Sequence, residues 1–133
     1  MHWDGKTDKG EVAADATIFL RTLAIGDGTD TLLLTVLDGE GWLWDYAQKS
    51  DDCGAKQIAE SLATELASYG VKKESFVLHA THSHASPDFI GGWGFVPDWY
   101  MAQVTETIKQ TVRDAVTAME PAVIEVGEVD ARA

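Results

Sequence analysis

The run Thr31-Leu32-Leu33-Leu34-Thr35-Val36-Leu37 is apolar on both faces of an extended chain, and Ile18-Phe19-Leu20 shares that character. Side chains in a strand alternate between faces, so a strand apolar on both belongs in a sheet covered on both sides. That requirement shapes everything else the chain can do. Ala16 to Ile25 and Thr31 to Leu37 are joined by Gly26-Asp27-Gly28-Thr29-Asp30, which predicts a hairpin. A helix follows from about Gly54 to Tyr69, with Ile58, Leu62, Leu66 and Tyr69 on one stripe and Gly70 as its stop. Phe76 to Ala80 is predicted as the next strand. A second helix spans about Asp98 to Met119, with Met101, Val104, Ile108, Val112, Ala115 and Met119 in line, and Ala122 to Val129 is predicted as a last strand.

These elements make a single α/β domain over residues 1–133, in the order β-β-α-β-α-β. The sheet is expected to be mixed and mostly parallel, with one antiparallel hairpin strand, because each strand-helix-strand crossover joins parallel neighbours. Two helices can hardly cover both faces of such a sheet. Either the chain forms a homo-oligomer through the sheet, or it is one portion of a larger domain.

Chemistry concentrates where the third strand ends. Three of the four histidines, His79, His82 and His84, fall within six residues, and a Pro87-Asp88 turn and the glycines Gly91, Gly92 and Gly94 follow. Strand ends are where α/β proteins place their sites. In extended chain His82 and His84 point the same way, so the pair can grip one metal ion, while His79, still in the strand, is expected to be a core histidine. Paired imidazoles favour zinc over magnesium or calcium.

The loop after Leu37 carries Asp38, Glu40, Trp42, Trp44 and Asp45, and the expected topology sets it on the same rim as His82, His84, Asp88, Trp93 and Trp99. Asp38 is a candidate to orient the metal or touch substrate, with the plain Asp-Gly turn as its other reading. Trp42, Trp93 and Asp88 are candidates for substrate contact. The tryptophans either roof the core or form an apolar mouth for a lipid-like or aromatic substrate.

Composition narrows the partners. Twenty-two acidic against ten basic residues give a net charge of −12, which repels phosphate backbones and excludes nucleic acid as an expected ligand. The lone Cys53 can build neither an internal disulfide nor a cysteine zinc site. Asp4 to Glu11 fails as a calcium loop, because Lys6 and Lys9 stand where an oxygen ligand and the turn glycine are needed. No apolar run is long enough to cross a bilayer, so the chain as given reads as soluble and cytoplasmic, or as secreted or periplasmic if it is a fragment.

The run Phe76-Val77-Leu78-His79-Ala80-Thr81-His82-Ser83-His84-Ala85-Ser86-Pro87-Asp88 resembles the Ala-Thr-His-Thr-His-Ser-Gly-Pro signature of the neutral/alkaline non-lysosomal ceramidase family. The preceding hairpin, a strand ending in Asp38, and the element Glu120-Pro121-Ala122 after a long helix are similar too, and likeness of this order extends from about Ala14 onward. The resemblance implies a zinc-dependent amidohydrolase that cleaves the N-acyl bond of ceramide, with His82 as a zinc ligand and His84 needed beside it. Ser83 replaces a threonine, and Ala85-Ser86 replace Ser-Gly. Family members are considerably longer and take a further histidine, a glutamate and a tyrosine as ligands from sequence beyond residue 133. The alternative is a non-catalytic module of the same fold that binds a metal or small ligand or mediates assembly, and a small stand-alone hydrolase of another amide or ester is a third.

Overall fold

The computed structural model describes residues 18–46 and 52–129. The Asp4 to Glu11 stretch and the first two residues of the expected hairpin, Ala16 and Thr17, lie outside them. Strands β1 (Leu20–Gly26), β2 (Thr31–Leu37) and β3 (Val71–Ala80), with helices α1 (Ala55–Glu65) and α2 (Asp98–Thr117), form a small α/β fold. The sheet order is β1-β2-β3, with β1 antiparallel and β3 parallel to β2. The sheet is therefore mixed, with one pair of each kind.

Each element has a local cause. Asp27 shapes the hairpin turn, its Oδ1 accepting from the N–H groups of Thr29 and Asp30 at 2.8 Å each, while Gly28 takes a positive φ of 93°. Those N–H groups hold the Asp27 carboxyl below its ordinary pKa. α1 buries Ile58, Ala59 and Leu62, and α2 buries Met101, Val104, Ile108, Val112 and Val116, the spacing of one helical face. Between α1 and β3 a short 3-10 turn, Ala67–Tyr69, ends at Gly70, whose φ of 75° is left-handed. A Cβ there would overlap the Thr29 carbonyl.

β3 begins five residues before the expected Phe76. Val71 pairs with Thr31, and the ladder then resumes only at Leu33 with Phe76, so residues 72–75 bulge outward. Lys72, Lys73 and Glu74 are exposed on that bulge, which is why the segment reads as loop in the sequence.

Both helices pack on one face of the sheet, where Leu33 and Leu37 are fully buried among residues of α1 and α2. The opposite face carries Arg21, Leu23, Leu32, Val77 and His79 on exposed positions, with Leu23, Leu32 and Val77 being 56%, 40% and 45% exposed. β2 is thus apolar on both faces, as its sequence reads, yet among the described residues only one face is covered. His79 stands on the open face, correcting its expected place in the core.

The expected strand over 122–129 does not form. These residues form no regular element and are exposed, without a strand partner. The connection explains this. α2 returns across the helical face towards β1 and delivers Met119 beside Gly26. A strand added there parallel to β2 and β3 would close a crossover of opposite hand to that of β2-α1-β3, the left-handed kind that parallel connections avoid.

Candidate functional site

β2 and β3 end side by side, with Leu37 opposite Ala80. The pairing runs on past both ends, Thr81 N–H donating to the Leu37 carbonyl at 3.0 Å and Ser83 N–H to the Gly39 carbonyl at 3.1 Å. The loop after β2 and the histidine segment are thereby zipped into one rim. Loop 88–91 closes against it, Ile90 approaching Gly41 so closely that a Cβ at Gly41 would lie 2.9 Å from it.

On this rim His82 takes a positive φ of 61°, which histidine adopts more readily than most residues but still uncommonly. Its Nδ1 lies 2.6 Å from the Glu40 main-chain carbonyl, which can only accept, so Nδ1 carries a proton and Nε2 is the nitrogen that holds the lone pair in the neutral ring. The His84 Nε2 stands 3.4 Å from the His82 Nε2, and the rings meet edge to face. The chain between them is not extended, since 84–85 form a turn. Left-handed backbone and turn, rather than strand alternation, bring the imidazoles together.

That separation tests the pair as metal ligands. Two imidazole nitrogens about 2.0–2.1 Å from a tetrahedral ion stand about 3.3–3.4 Å apart, the same separation as between these two Nε2 atoms. Without metal the same geometry lets His84 Nε2–H donate to His82 Nε2. Among the described residues no group of three or more His, Cys, Asp or Glu side chains is gathered tightly enough to hold an ion.

The other expected site residues fall into separate places. Trp93 is 74% exposed, and its ring meets that of His84 edge-on at 5.7 Å. Asp88 is buried beneath the loop it shapes, Oδ1 accepting from Ile90 and Gly91 N–H at 3.0 and 2.7 Å and Oδ2 from Trp93 N–H at 2.7 Å. Burial works to raise its pKa, but these N–H groups and that of Gly92 outweigh burial and hold it below the ordinary value. Its carboxylate is committed to the backbone. Trp42 is part of the roof, its Nε1–H donating to the Cys53 carbonyl and its ring packed on Phe89 and Tyr46. Asp38 reaches back to β1, accepting from Phe19 N–H at 3.2 Å with Arg21 at 3.8 Å.

Two contributors are not visible in the sequence. Glu40 acts through its main chain, which no residue-type signal announces. Phe89, fully buried and stacked on Tyr100, wedges the loop against the core, and its place after Pro87-Asp88 gives only a weak hint.

No protein-family model matches this chain, nor does any curated protein or any solved structure. Among the described residues no helix is long and apolar enough to cross a membrane.

Proposed function

We propose that this chain carries part of the zinc site of a ceramidase-like amidohydrolase, one that cleaves the N-acyl bond of a ceramide-like lipid. The observation that supports this reading above all is the pair of Nε2 atoms 3.4 Å apart, with the Glu40 carbonyl holding a His82 proton on Nδ1 and so leaving Nε2 as the donor atom of the neutral ring. The ceramidase signature around His82 and His84 supplies the reaction class.

Zinc bound there would polarise the amide carbonyl as a Lewis acid and lower the pKa of a water towards about 7. The Glu40 carbonyl fixes the His82 tautomer and ring plane, the orienting task that partners of metal-binding histidines perform. Trp93 offers an apolar face beside His84, suited to the hydrocarbon of an acyl or sphingoid chain. Asp88 keeps Trp93 in place by holding its N–H. Catalytic zinc sites use three protein ligands, so at least one donor joins His82 and His84 from outside the described residues.

Elemental analysis of protein prepared without chelator tests the site, and a fluorogenic N-acyl sphingosine tests the reaction. Zinc near one per chain, lost in His82→Ala and His84→Ala, is the expected result. Metal content unchanged in the double substitution would overturn it. With only part of the ligand set in place, turnover should be undetectable or very slow, and robust turnover that survives both substitutions would overturn the histidine-zinc mechanism.

A further inference from the structure

The run Phe89-Ile90-Gly91-Gly92-Trp93-Gly94-Phe95-Val96-Pro97 carries no charged side chain, and its only polar side-chain atom is the Trp93 indole nitrogen. Phe89 and Val96 are buried and seat its two ends, while Gly92, Trp93 and Gly94 stand exposed at its tip. The tip is braced. Asp88 accepts from the N–H groups of Ile90, Gly91 and Trp93 at 3.0, 2.7 and 2.7 Å, so a buried carboxylate holds the main chain while the Trp93 ring stays 74% exposed. An apolar projection of this kind marks a surface that meets something less polar than water.

Trp99 projects from the same segment. Its ring, 64% exposed, meets Tyr100 edge-on at 5.5 Å, and Tyr100 stacks on Phe89 at the foot of the loop. No Lys or Arg occurs between Lys73 and Lys109, and the chain carries a net charge of −12. This segment therefore has no cation with which to grip an anionic headgroup or an acidic protein. Tryptophan instead favours the boundary between membrane and water, where the ring meets hydrocarbon and the N–H stays wet. The glycines set the depth. Gly92 and Gly94 expose main chain, which hydrocarbon does not tolerate unpaired, so the loop reaches the headgroup level and no further.

We propose that Trp93 and Trp99 dock this rim on a bilayer of zwitterionic lipid and so present the histidine pair to an amide lying in the membrane surface. The proposal rests on the ceramide-like reading for its purpose, since such a lipid resides in membranes rather than in water. The Trp93 ring lies 5.7 Å from that of His84, so docking brings the imidazoles to the same boundary. A bilayer is favoured over a protein partner because protein interfaces ring their apolar anchors with hydrogen-bonding side chains, and this loop offers only the indole N–H.

Sedimentation of the full chain with sucrose-loaded vesicles of phosphatidylcholine alone tests docking in the absence of substrate, so capture at the site cannot imitate it. About half of the chain should sediment at about 5 mM lipid, a weaker hold than one acyl anchor gives. Raising salt from about 0.1 M to about 1 M should change this by less than about twofold. Trp93→Ala should weaken binding about tenfold and Trp99→Ala about threefold, with unchanged far-UV circular dichroism. Trp44→Ala, whose ring borders Lys56, Glu60, Lys73 and Glu74 instead, should leave binding within about twofold. No sedimentation at that lipid concentration, a requirement for phosphatidylserine, loss of binding in high salt, or equal losses from Trp44→Ala and Trp93→Ala would each overturn the docking surface. Zinc content, measured separately, decides the histidine site, so either reading can fail while the other stands.

Discussion

The Glu40 main-chain carbonyl accepts a hydrogen bond from His82 Nδ1 at 2.6 Å, so a residue with a carboxylate serves the site through its backbone. The side chain at position 40 is then dispensable for that task, whereas the ring at position 82 is not.

Glu40→Gln is therefore expected to leave zinc affinity within about threefold of the parent, while His82→Ala lowers it by well over the roughly 10–100-fold typical of losing an orienting partner alone. Competition with a chromogenic chelator measures both. A Glu40→Gln loss as large as that of His82→Ala would mean that the carboxylate itself is a ligand.

Asp88→Asn keeps one acceptor oxygen and replaces the other by an NH₂ group facing the Trp93 N–H. A loss of about 1–3 kcal/mol in urea unfolding is expected, as for a buried hydrogen-bonding group left without its partner. The native carboxylate has its pKa held below the unfolded value, so its contribution is present above about pH 4 and is lost as pH falls through the lower folded value. Unfolding midpoints at successive pH values from neutral to strongly acid should show the variant's deficit shrinking at the acid end.

Phe89→Ala opens a cavity among Trp42, Tyr100 and the Gly39 backbone, because the ring is fully buried and stacked 6.1 Å from Tyr100. About 3–5 kcal/mol of destabilisation is expected from chemical denaturation, against about 1 kcal/mol or less for Phe89→Leu if the site collapses well. Near-UV circular dichroism should lose aromatic signal in the alanine variant before far-UV signal changes.

Gly70→Ala should destabilise by more than about 1 kcal/mol, since it sets a side chain at positive φ and against the Thr29 carbonyl. Gly94→Ala has the strain of φ 120° without a neighbour to meet, and thermal melts should rank it the milder of the two.

Local pattern was enough wherever neighbouring residues decide the outcome. The hairpin follows from Asp27 and Gly28, α1 and α2 follow from apolar residues every three or four positions, and the stop at Gly70 follows from its freedom at positive φ. The rim position of His82 and His84 was legible because a buried apolar strand must end where glycine and proline begin. Their approach to one another was expected from strand alternation but arises from a left-handed residue and a turn, which pair spacing alone does not encode. Only tertiary structure decided that Glu40 contributes a carbonyl, that Asp88 spends its carboxylate on backbone N–H groups and that Asp38 turns to β1. The same holds for the charged start of β3, recruited by Thr31 against its composition, and for 122–129, whose strand-forming residues find no edge of the right hand. Periodicity records which side chains want to be buried; backbone carbonyls, handedness and sheet edges belong to the whole arrangement, and no window of residues contains them.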